Sequence, residues 1–262
     1  MFDYHMHTNV SYDGRMTAMQ AVDTAVKVGL KEICFTDHLD YDPLNPESKL
    51  QYELEKYSAA YDYLTHKDLK IRRGMEFGML LDNQEMLLKK TSERHYDFVI
   101  GSAHVCDKAD PYFPEYWKDK TEYEGTYRYF EYILECINVF DDFDVFGHVD
   151  YIVRYGPTKA ENYSYQKYQE ILNEILKTLI SKNIGLELNT AGLKYGLGFA
   201  HPHMDILKKY REFGGEIITV GSDGHKPEHL AYDFHKVPSI LKEAGFHYYT
   251  IFKNRKPEFI KL

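Results

Sequence analysis

The feature that most constrains the fold is an alternation of short apolar runs with longer amphipathic runs along the whole chain. Short runs rich in β-branched and aromatic residues predict strands, whereas apolar residues at helical spacing predict helices. This order is typical of βα units on a parallel sheet. The predicted strands are 2–6, 32–36, 69–73, 97–100, 144–146, 185–188, 216–220 and 248–252, and the predicted helices are 17–27, 48–66, 82–94, 121–140, 165–182, 203–213 and 227–244.

The length and composition predict one domain. A chain of 262 residues with 44% hydrophobic residues can bury one sizeable core. This length fits a single α/β barrel as well as two small domains. No shift in composition and no linker rich in Pro, Gly or Ser divides the chain. We therefore predict a single domain over residues 1–262.

Polar motifs follow seven of the predicted strands, beginning with His5 and His7 at the end of the first. Their i, i+2 spacing puts both imidazoles on one face of an extended chain. A structural histidine or a helix-capping aspartate would explain any one motif. Seven such coincidences at successive strand ends are improbable. In parallel α/β barrels the C-terminal strand ends converge on one mouth, where active sites are built. The candidate ligands at these ends are His5, His7, Asp13, His38, Glu76, His104, His148, Asp223 and His225.

These nine residues predict a site for more than one metal ion. Six imidazoles and three carboxylates suit zinc, iron or manganese, whereas an all-oxygen set would suit calcium or magnesium. One tetrahedral zinc takes only four ligands. Two ions roughly 3.5–4 Å apart can clamp a phosphoryl group and supply hydroxide from a bound water. The ligand set therefore predicts two to three divalent ions (Zn, Fe or Mn) and hydrolysis of a phosphate ester.

The net charge and the composition exclude several classes of binding partner and cellular location. The net charge of −9 argues against a nucleic-acid-binding surface, which is normally basic. No apolar run approaches the ~20 residues of a membrane span, and the N-terminus lacks the pattern of a signal peptide. Three widely spaced cysteines, Cys34, Cys106 and Cys136, argue against a disulfide framework. We expect a cytoplasmic protein without a membrane or nucleic-acid partner, and no sequence feature sets its oligomeric state.

The motifs also carry a family resemblance, which covers nearly the whole chain. They are His5-Met6-His7-Thr8, Asp13-Gly14, Thr36-Asp37-His38, Gly74-Met75-Glu76, Gly101-Ser102-Ala103-His104, Gly147-His148-Val149-Asp150 and Gly221-Ser222-Asp223-Gly224-His225. As an ordered set they resemble the PHP (polymerase and histidinol phosphatase) superfamily, and most of all its stand-alone histidinol-phosphate phosphatases. The resemblance implies a distorted (β/α)7 barrel, similar to a TIM barrel, with a trinuclear metal site at the C-terminal strand ends. It also implies hydrolysis of L-histidinol phosphate to L-histidinol and inorganic phosphate in histidine biosynthesis.

The resemblance also distributes the ligands among three ions. The first ion would take His5, His7, Glu76 and Asp223; the second would take Glu76, His104 and His148, with Glu76 bridging; the third would take Asp13, His38 and His225. Some family members have a histidine in place of Asp13, so here the third ion would gain an oxygen ligand and a negative charge. Asp37 would orient its neighbouring ligand or transfer a proton.

Residues that bind the substrate are predicted from position and chemistry. Arg154 follows the His148 motif, and a guanidinium matches phosphate geometry, although a surface ion pair is the alternative. The long connection 105–120 could form an aromatic wall with Tyr112, Phe113, Tyr116 and Trp117, of which Tyr116 and Trp117 are the candidates for substrate binding, or could simply be a packed loop. His201 and His203 read as a helix entry, with lining of the mouth as the alternative. The remaining histidines are expected on the surface: His66, His95, His229, His235 and His247.

Three functions from different classes stay open at this point. The first is a small-molecule phosphatase, acting on histidinol phosphate or on another small phosphomonoester. The second is a metal-dependent nuclease or proofreading module, which the same superfamily contains. The third is a metal-binding domain without catalytic activity. The acidic balance weighs against the nuclease, and the full set of ligands weighs against the inactive domain.

Overall fold

The computed structural model describes residues 1–40 and 53–262, which build a parallel sheet nearly closed into a barrel. The strands of the sheet are β1 (Phe2–Asp3), β2 (Glu32–Phe35), β3 (His38–Leu39), β4 (Lys70–Gly78), β5 (Phe98–Ser102), β6 (Val145–Phe146), β7 (Gly185–Asn189) and β8 (Ile218–Gly221). Both β2 and β3 pair with β4, so together they fill one of seven positions around the barrel. Tyr4 N donates to Val220 O at 3.0 Å, which brings the chain after β1 against β8. The predicted distorted (β/α)7 barrel is confirmed.

Helices fill most of the connections, as the apolar spacing predicts. They are α1 (Ala18–Lys27), α2 (Leu54–Tyr61), α3 (Gln84–Ser92), α4 (Pro114–Trp117), α5 (Glu122–Val139), α6 (Gln169–Ser181), α7 (Ala191–Lys194), α8 (Met204–Glu212) and α9 (Val237–Glu243). Thr17 caps α1, because its hydroxyl accepts from Gln20 N while the Gln20 side chain accepts from Thr17 N. His203 caps the start of α8, so the predicted helix entry at this residue is also confirmed.

Two predicted helices differ from the structure. Residues 48–52 of the first lie outside the described residues, and the described part, α2, ends at Tyr61 rather than at residue 66. The predicted helix 227–244 is broken into short 3-10 turns that precede α9. Ala231 and Asp233 have φ angles of 51° and 55°. This left-handed backbone cannot continue a right-handed helix, so the chain turns here instead.

The last predicted strand belongs to a separate hairpin. β9 (Tyr248–Lys253) pairs antiparallel with β10 (Lys256–Lys261), a strand that the sequence patterns did not predict. Arg255 N, in the turn, donates to Asp97 O at 2.9 Å, immediately before β5 begins. The hairpin therefore lies at the N-terminal ends of the barrel strands. Its position explains why no polar motif follows this strand.

A buried carboxylate fastens the two ends of the sheet together. Asp3, at the end of β1, accepts hydrogen bonds from Ser222 N at 3.0 Å, Ser222 Oγ at 2.6 Å and Ala231 N at 3.0 Å. Burial raises the pKa of Asp3, while these donors oppose the rise. Asp3 thereby fixes the segment after β8, which carries Asp223.

The described residues also bear on cross-linking and on membrane crossing. The three cysteines are buried and free. Among the helices of residues 1–40 and 53–262, none has the length and apolar character that a membrane crossing requires.

Candidate metal centre and substrate cavity

All nine candidate ligands come together at the C-terminal ends of the barrel strands. Their centre is Glu76, a fully buried residue of β4. The register of the sheet sets His38, on β3, directly beside it. Five imidazole nitrogens lie near the Glu76 carboxylate: His38 Nδ1 at 3.0 Å, His5 Nε2 at 3.2 Å and His7 Nε2 at 3.5 Å from Oε2, and His148 Nε2 at 3.0 Å and His104 Nε2 at 3.3 Å from Oε1.

The first pocket for an ion lies between His5, His7, Glu76 and Asp223. Asp223 Oδ1 is 3.4 Å from His7 Nε2 and 3.9 Å from His5 Nε2. Four ligands at about 2.1 Å from one tetrahedral ion lie roughly 3.4 Å from one another. His5 Nε2, His7 Nε2 and Glu76 Oε2 are buried and make no hydrogen bond. Buried polar atoms normally have a partner, and a cation among these four groups would satisfy them.

Two further pockets adjoin the first. Glu76 Oε1 faces His104 and His148, which gives the second group of ligand atoms. Asp13 Oδ2 lies 3.0 Å from His225 Nε2 and 3.8 Å from His38 Nε2, which gives the third. The third pocket is nearer the solvent, because the Asp13 side chain is 37% exposed. The ligand atoms also group in other ways, since His38 lies with Asp40 and His104 and also with His7 and His225. The distribution among three ions therefore stays a prediction.

The charges of the ligands are strongly coupled. Burial would raise the pKa of Glu76, but the imidazoles of His5, His104 and His38 hold it well below its usual range. Burial would lower the pKa of His38, but the carboxylates of Asp40, Asp13 and Glu76 outweigh it and raise this pKa to about 9. In the absence of metal, protons on His5, His38 and His104 therefore balance the carboxylates. Burial instead lowers the pKa of His7 and of His148.

Two carboxylates that the ligand prediction missed orient the imidazoles from behind. Glu187 Oε1 lies 2.5 Å from His5 Nδ1, and Asp40 Oδ1 lies 3.0 Å from His104 Nδ1. A hydrogen bond from Nδ1 leaves Nε2 as the metal-binding nitrogen. The sequence held a signal for each, since Asp40 lies two residues after His38 and Glu187 is an acidic residue inside a predicted strand. Neither signal indicates which histidine the carboxylate contacts.

Gly221 allows β8 to pass close to these groups. A Cβ atom at this position would lie 2.3 Å from His5 Cβ and 2.4 Å from Glu187 Oε1. Both separations are far below van der Waals contact. The glycine therefore permits the β8 backbone to approach the first ligand and its supporting carboxylate.

Asp37 lies behind the third pocket and does not line the cavity. Its Oδ1 accepts from Thr8 N at 2.8 Å, Ser11 N at 3.1 Å and Ser11 Oγ at 2.8 Å, and its Oδ2 accepts from Tyr61 OH at 2.5 Å. Ser11 Oγ in turn accepts from His38 N at 2.9 Å. These contacts fit the predicted orienting role, and the enclosure of both oxygens argues against the alternative of proton transfer with substrate.

A cavity of about 680 Å³ lies above the metal pockets. Its lining includes four cationic side chains, Arg15, Arg154, Lys194 and Lys226, together with Asp110 and a group of tyrosines, Tyr12, Tyr112, Tyr151, Tyr155 and Tyr195. Arg154 is held with its Cζ 4.0 Å from the centre of the Tyr195 ring and its Nη2 3.5 Å from Asp223 Oδ2. Lys194 Nζ donates to Asp223 O at 3.0 Å, and burial lowers its pKa to about 8. The two cations thus flank one candidate ligand.

The predicted aromatic wall is formed only in part by the residues named for it. Tyr116 is buried and donates its hydroxyl to Gly125 O at 2.6 Å, and Trp117 Nε1 donates to Pro111 O at 2.9 Å. Neither lines the cavity, because α4 packs both against α5 and the rest of the loop. Tyr112, which the prediction also named, does line the cavity.

His229 differs from its predicted position, and His201 does not take the alternative position at the mouth. The prediction of a surface position for His229 was wrong, because this residue lines the cavity four residues beyond His225. Burial, Lys194 and Lys226 lower its pKa to about 4. His201 is fully buried and does not line the mouth; its Nδ1 lies 2.6 Å from Asp150 Oδ1.

Comparison with known proteins places this fold and site in a family. Residues 3–191 match the PHP domain, so the chain belongs to the PHP domain family. It is 33% identical to the histidinol-phosphatase of Lactococcus lactis, with 97% of this chain and 95% of that protein covered. It is 30% identical to a probable histidinol-phosphatase of Clostridium acetobutylicum, with 89% and 90% covered. The family predicted from the ordered motifs is confirmed.

A solved structure of the same class supports the comparison. The histidinol phosphate phosphatase of Lactococcus lactis, in complex with zinc, L-histidinol and phosphate, superposes with a TM-score of 0.85 at 30% identity and covers 98% of both chains. A second structure, of a putative histidinol phosphatase from Listeria monocytogenes, has a TM-score of 0.75 at 17% identity, which speaks for the fold alone.

The protonation of His38 predicts how metal binding depends on pH. An imidazole must be neutral to bind a metal ion, and His38 has a pKa of about 9 in the metal-free cluster. Protons therefore compete with the metal below this pH, so apparent affinity should rise from pH 6.5 to 9. Glu76 and Asp223, whose pKa values lie well below their usual range, release no proton. Calorimetric titration of the metal-free protein with Mn²⁺, in buffers of different ionisation enthalpy, measures both the metal affinity and the number of protons released per ion bound.

The matched variant for this titration is His38→Gln. It should release fewer protons per ion bound at neutral pH than the unchanged protein. A metal affinity that is independent of pH, with no proton release, would contradict this account of the cluster.

Proposed function

We propose that this protein is a metal-dependent phosphatase that hydrolyses L-histidinol phosphate to L-histidinol and inorganic phosphate, a step of histidine biosynthesis. The observation that carries the proposal is one cavity with a cluster of metal ligands at its base, cations on one wall and a carboxylate among aromatic rings. The similarity in sequence and fold to a histidinol phosphate phosphatase with bound zinc, L-histidinol and phosphate supports it. The proposed substrate carries the complementary groups, a phosphate, an ammonium group and an imidazole.

Two to three divalent ions are proposed for the three pockets, with Glu76 shared by the first two. Mixed imidazole and carboxylate ligands suit zinc, iron or manganese. Ions bound there would act as Lewis acids on the phosphoryl group and would provide the nucleophile from water. The residues of the chain fix the ligand nitrogens, since Glu187 and Asp40 hold His5 and His104 by their Nδ1 atoms.

Arg154 and Lys194 are proposed to bind the phosphoryl oxygens. Both lie against Asp223, Arg154 at its side chain and Lys194 at its main-chain oxygen. An oxyanion beside Asp223 would therefore meet two cations at once. The guanidinium can donate two parallel hydrogen bonds to phosphate. Stacking on Tyr195 fixes the plane of that fork before substrate binds.

Asp110, Tyr12 and Tyr112 are proposed to bind the ammonium and imidazole groups. Asp110 Oδ1 accepts from Tyr112 N at 2.8 Å, which fixes the carboxylate in the cavity wall. Burial raises the pKa of Asp110, and an ammonium group beside it would oppose that rise. Tyr12 and Tyr112 present exposed ring surface for an imidazole. These tyrosines replace Tyr116 and Trp117 in the proposal, since neither of the latter lines the cavity.

A panel of substrates tests the function. Charge-assisted hydrogen bonds contribute about 1.5–3 kcal/mol, so kcat/KM for L-histidinol phosphate should exceed that for glycerol 3-phosphate by roughly tenfold to hundredfold. Phosphate release from both esters and cleavage of single-stranded oligonucleotides would be measured side by side. Equal turnover of both esters would contradict the proposed substrate, cleavage of oligonucleotides would favour a nuclease, and no turnover with metal bound would favour an inactive metal-binding domain.

Asp110→Asn provides the matched variant for the panel. It keeps the size of the side chain but removes its charge. The variant should raise KM for L-histidinol phosphate more than KM for glycerol 3-phosphate, which has no ammonium group. If both KM values rise equally, Asp110 does not recognise the ammonium group.

The proposed binding of phosphate by Arg154 can be tested by substitution. Arg154→Ala should raise both KM and the inhibition constant for inorganic phosphate by about tenfold to hundredfold, because a charge-assisted hydrogen bond to phosphate is lost. Arg154→Lys should restore part of the loss, since lysine keeps the charge without the planar fork. Metal content, measured by elemental analysis, should stay unchanged in both variants. If neither constant moves in Arg154→Ala, the phosphate is bound without this residue.

A further inference from the structure

A buried pair of side chains outside the metal centre connects the two proposed phosphate-binding cations. Asp150 and His201 are both fully buried, and His201 Nδ1 lies 2.6 Å from Asp150 Oδ1. The other oxygen of Asp150 accepts from His203 N at 2.8 Å. Both oxygens of this carboxylate are therefore tied to the segment 201–203. Within the described part of the chain, neither side chain hydrogen-bonds to a side chain of the metal centre.

On one side the pair holds the element that carries Arg154. Asp150 immediately precedes a short 3-10 helix, Tyr151–Arg154, and its main-chain oxygen accepts from Val153 N at 3.0 Å. The helix ends at Arg154, whose guanidinium faces the cavity. Because the Asp150 side chain is held in place, the start of the 3-10 helix that carries Arg154 is held in place as well.

On the other side the pair holds the element that carries Lys194. The main chain of His201 exchanges two hydrogen bonds with Asn189, at 2.6 and 2.8 Å. Asn189 Oδ1 accepts from Ala191 N at 2.9 Å, at the start of α7, and α7 ends at Lys194. A Cβ atom on Gly192 would lie 2.4 Å from Phe199 O, so α7 packs directly on the segment that leads into His201.

We propose that Asp150 and His201 are positioning residues for phosphate binding, which set the separation of Arg154 and Lys194. This inference rests on the proposed function only in that these two cations bind the phosphoryl oxygens. Hydrogen bonds to phosphate weaken steeply when donor and acceptor move apart by a few tenths of an ångström. Asp223 contacts both cations directly. The buried pair adds a second connection, because it joins the two loops that carry these cations.

The test is the affinity for inorganic phosphate, measured by calorimetry on the metal-loaded protein. His201→Ala should weaken phosphate binding by about tenfold, because Arg154 and Lys194 lose their common support. His201→Asn should recover part of the loss, since its amide can donate to Asp150. Metal content should stay the same in both. His235→Ala, at a histidine whose side chain is 74% exposed, is the control and should bind phosphate normally.

A double-mutant cycle separates positioning from general stability. If His201 acts through Arg154, then His201→Ala should weaken phosphate binding much less in an Arg154→Ala background than in the unchanged protein. Fully additive effects, loss of metal from His201→Asn, or unchanged phosphate affinity in His201→Ala would each overturn the inference. Binding of inorganic phosphate does not depend on the identity of the leaving group. A protein that follows this pattern but fails to hydrolyse L-histidinol phosphate would contradict the proposed substrate and leave the positioning role in place.

Discussion

The site depends on the burial of one carboxylate, Glu76, inside a ring of imidazoles. A buried anion is strongly disfavoured unless positive charge surrounds it. The imidazoles of His5, His38 and His104 hold the pKa of Glu76 well below its usual range, and the carboxylates raise the pKa values of these three imidazoles in turn. The same arrangement favours divalent ions, which supply that positive charge without protons. The position of Glu76 follows from the sheet, because β4 lies between β3 and β5 and sets the carboxylate at the centre of the mouth.

The cavity above this centre is lined by groups of both charges. Arg154 and Lys194 meet at Asp223, and Asp110 and the exposed rings of Tyr12 and Tyr112 also belong to the lining. Such a cavity suits a small ester with an anionic and a cationic end better than it suits a polyanionic strand. The acidic net charge of the chain agrees with this, since it would repel nucleic acid.

The barrel and all nine candidate ligands were predictable from sequence, because their signal is local. A ligand such as Glu76 or His148 is recognised by its place after an apolar strand, and a parallel barrel then brings the strand ends together. What could not be predicted depends on distant contacts. Asp40 and Glu187 have roles only through the histidines that they contact. His229 lines the cavity because the left-handed backbone at Ala231 and Asp233 replaces the predicted helix with tight turns. Tyr112 and Tyr116 were both predicted at the wall from their loop, but packing of α4 on α5 buries Tyr116 and leaves only Tyr112 of the two exposed.

The central claim is that Glu76 is shared by two metal ions. Anomalous diffraction from crystals of the metal-loaded protein, recorded at the absorption edge of the bound metal, locates the ions directly. If two ions share Glu76, two peaks should appear roughly 3.5–4 Å apart, each about 2.0–2.2 Å from a different oxygen of this carboxylate. A single peak at Glu76, or two ions that bind without this carboxylate, would contradict it.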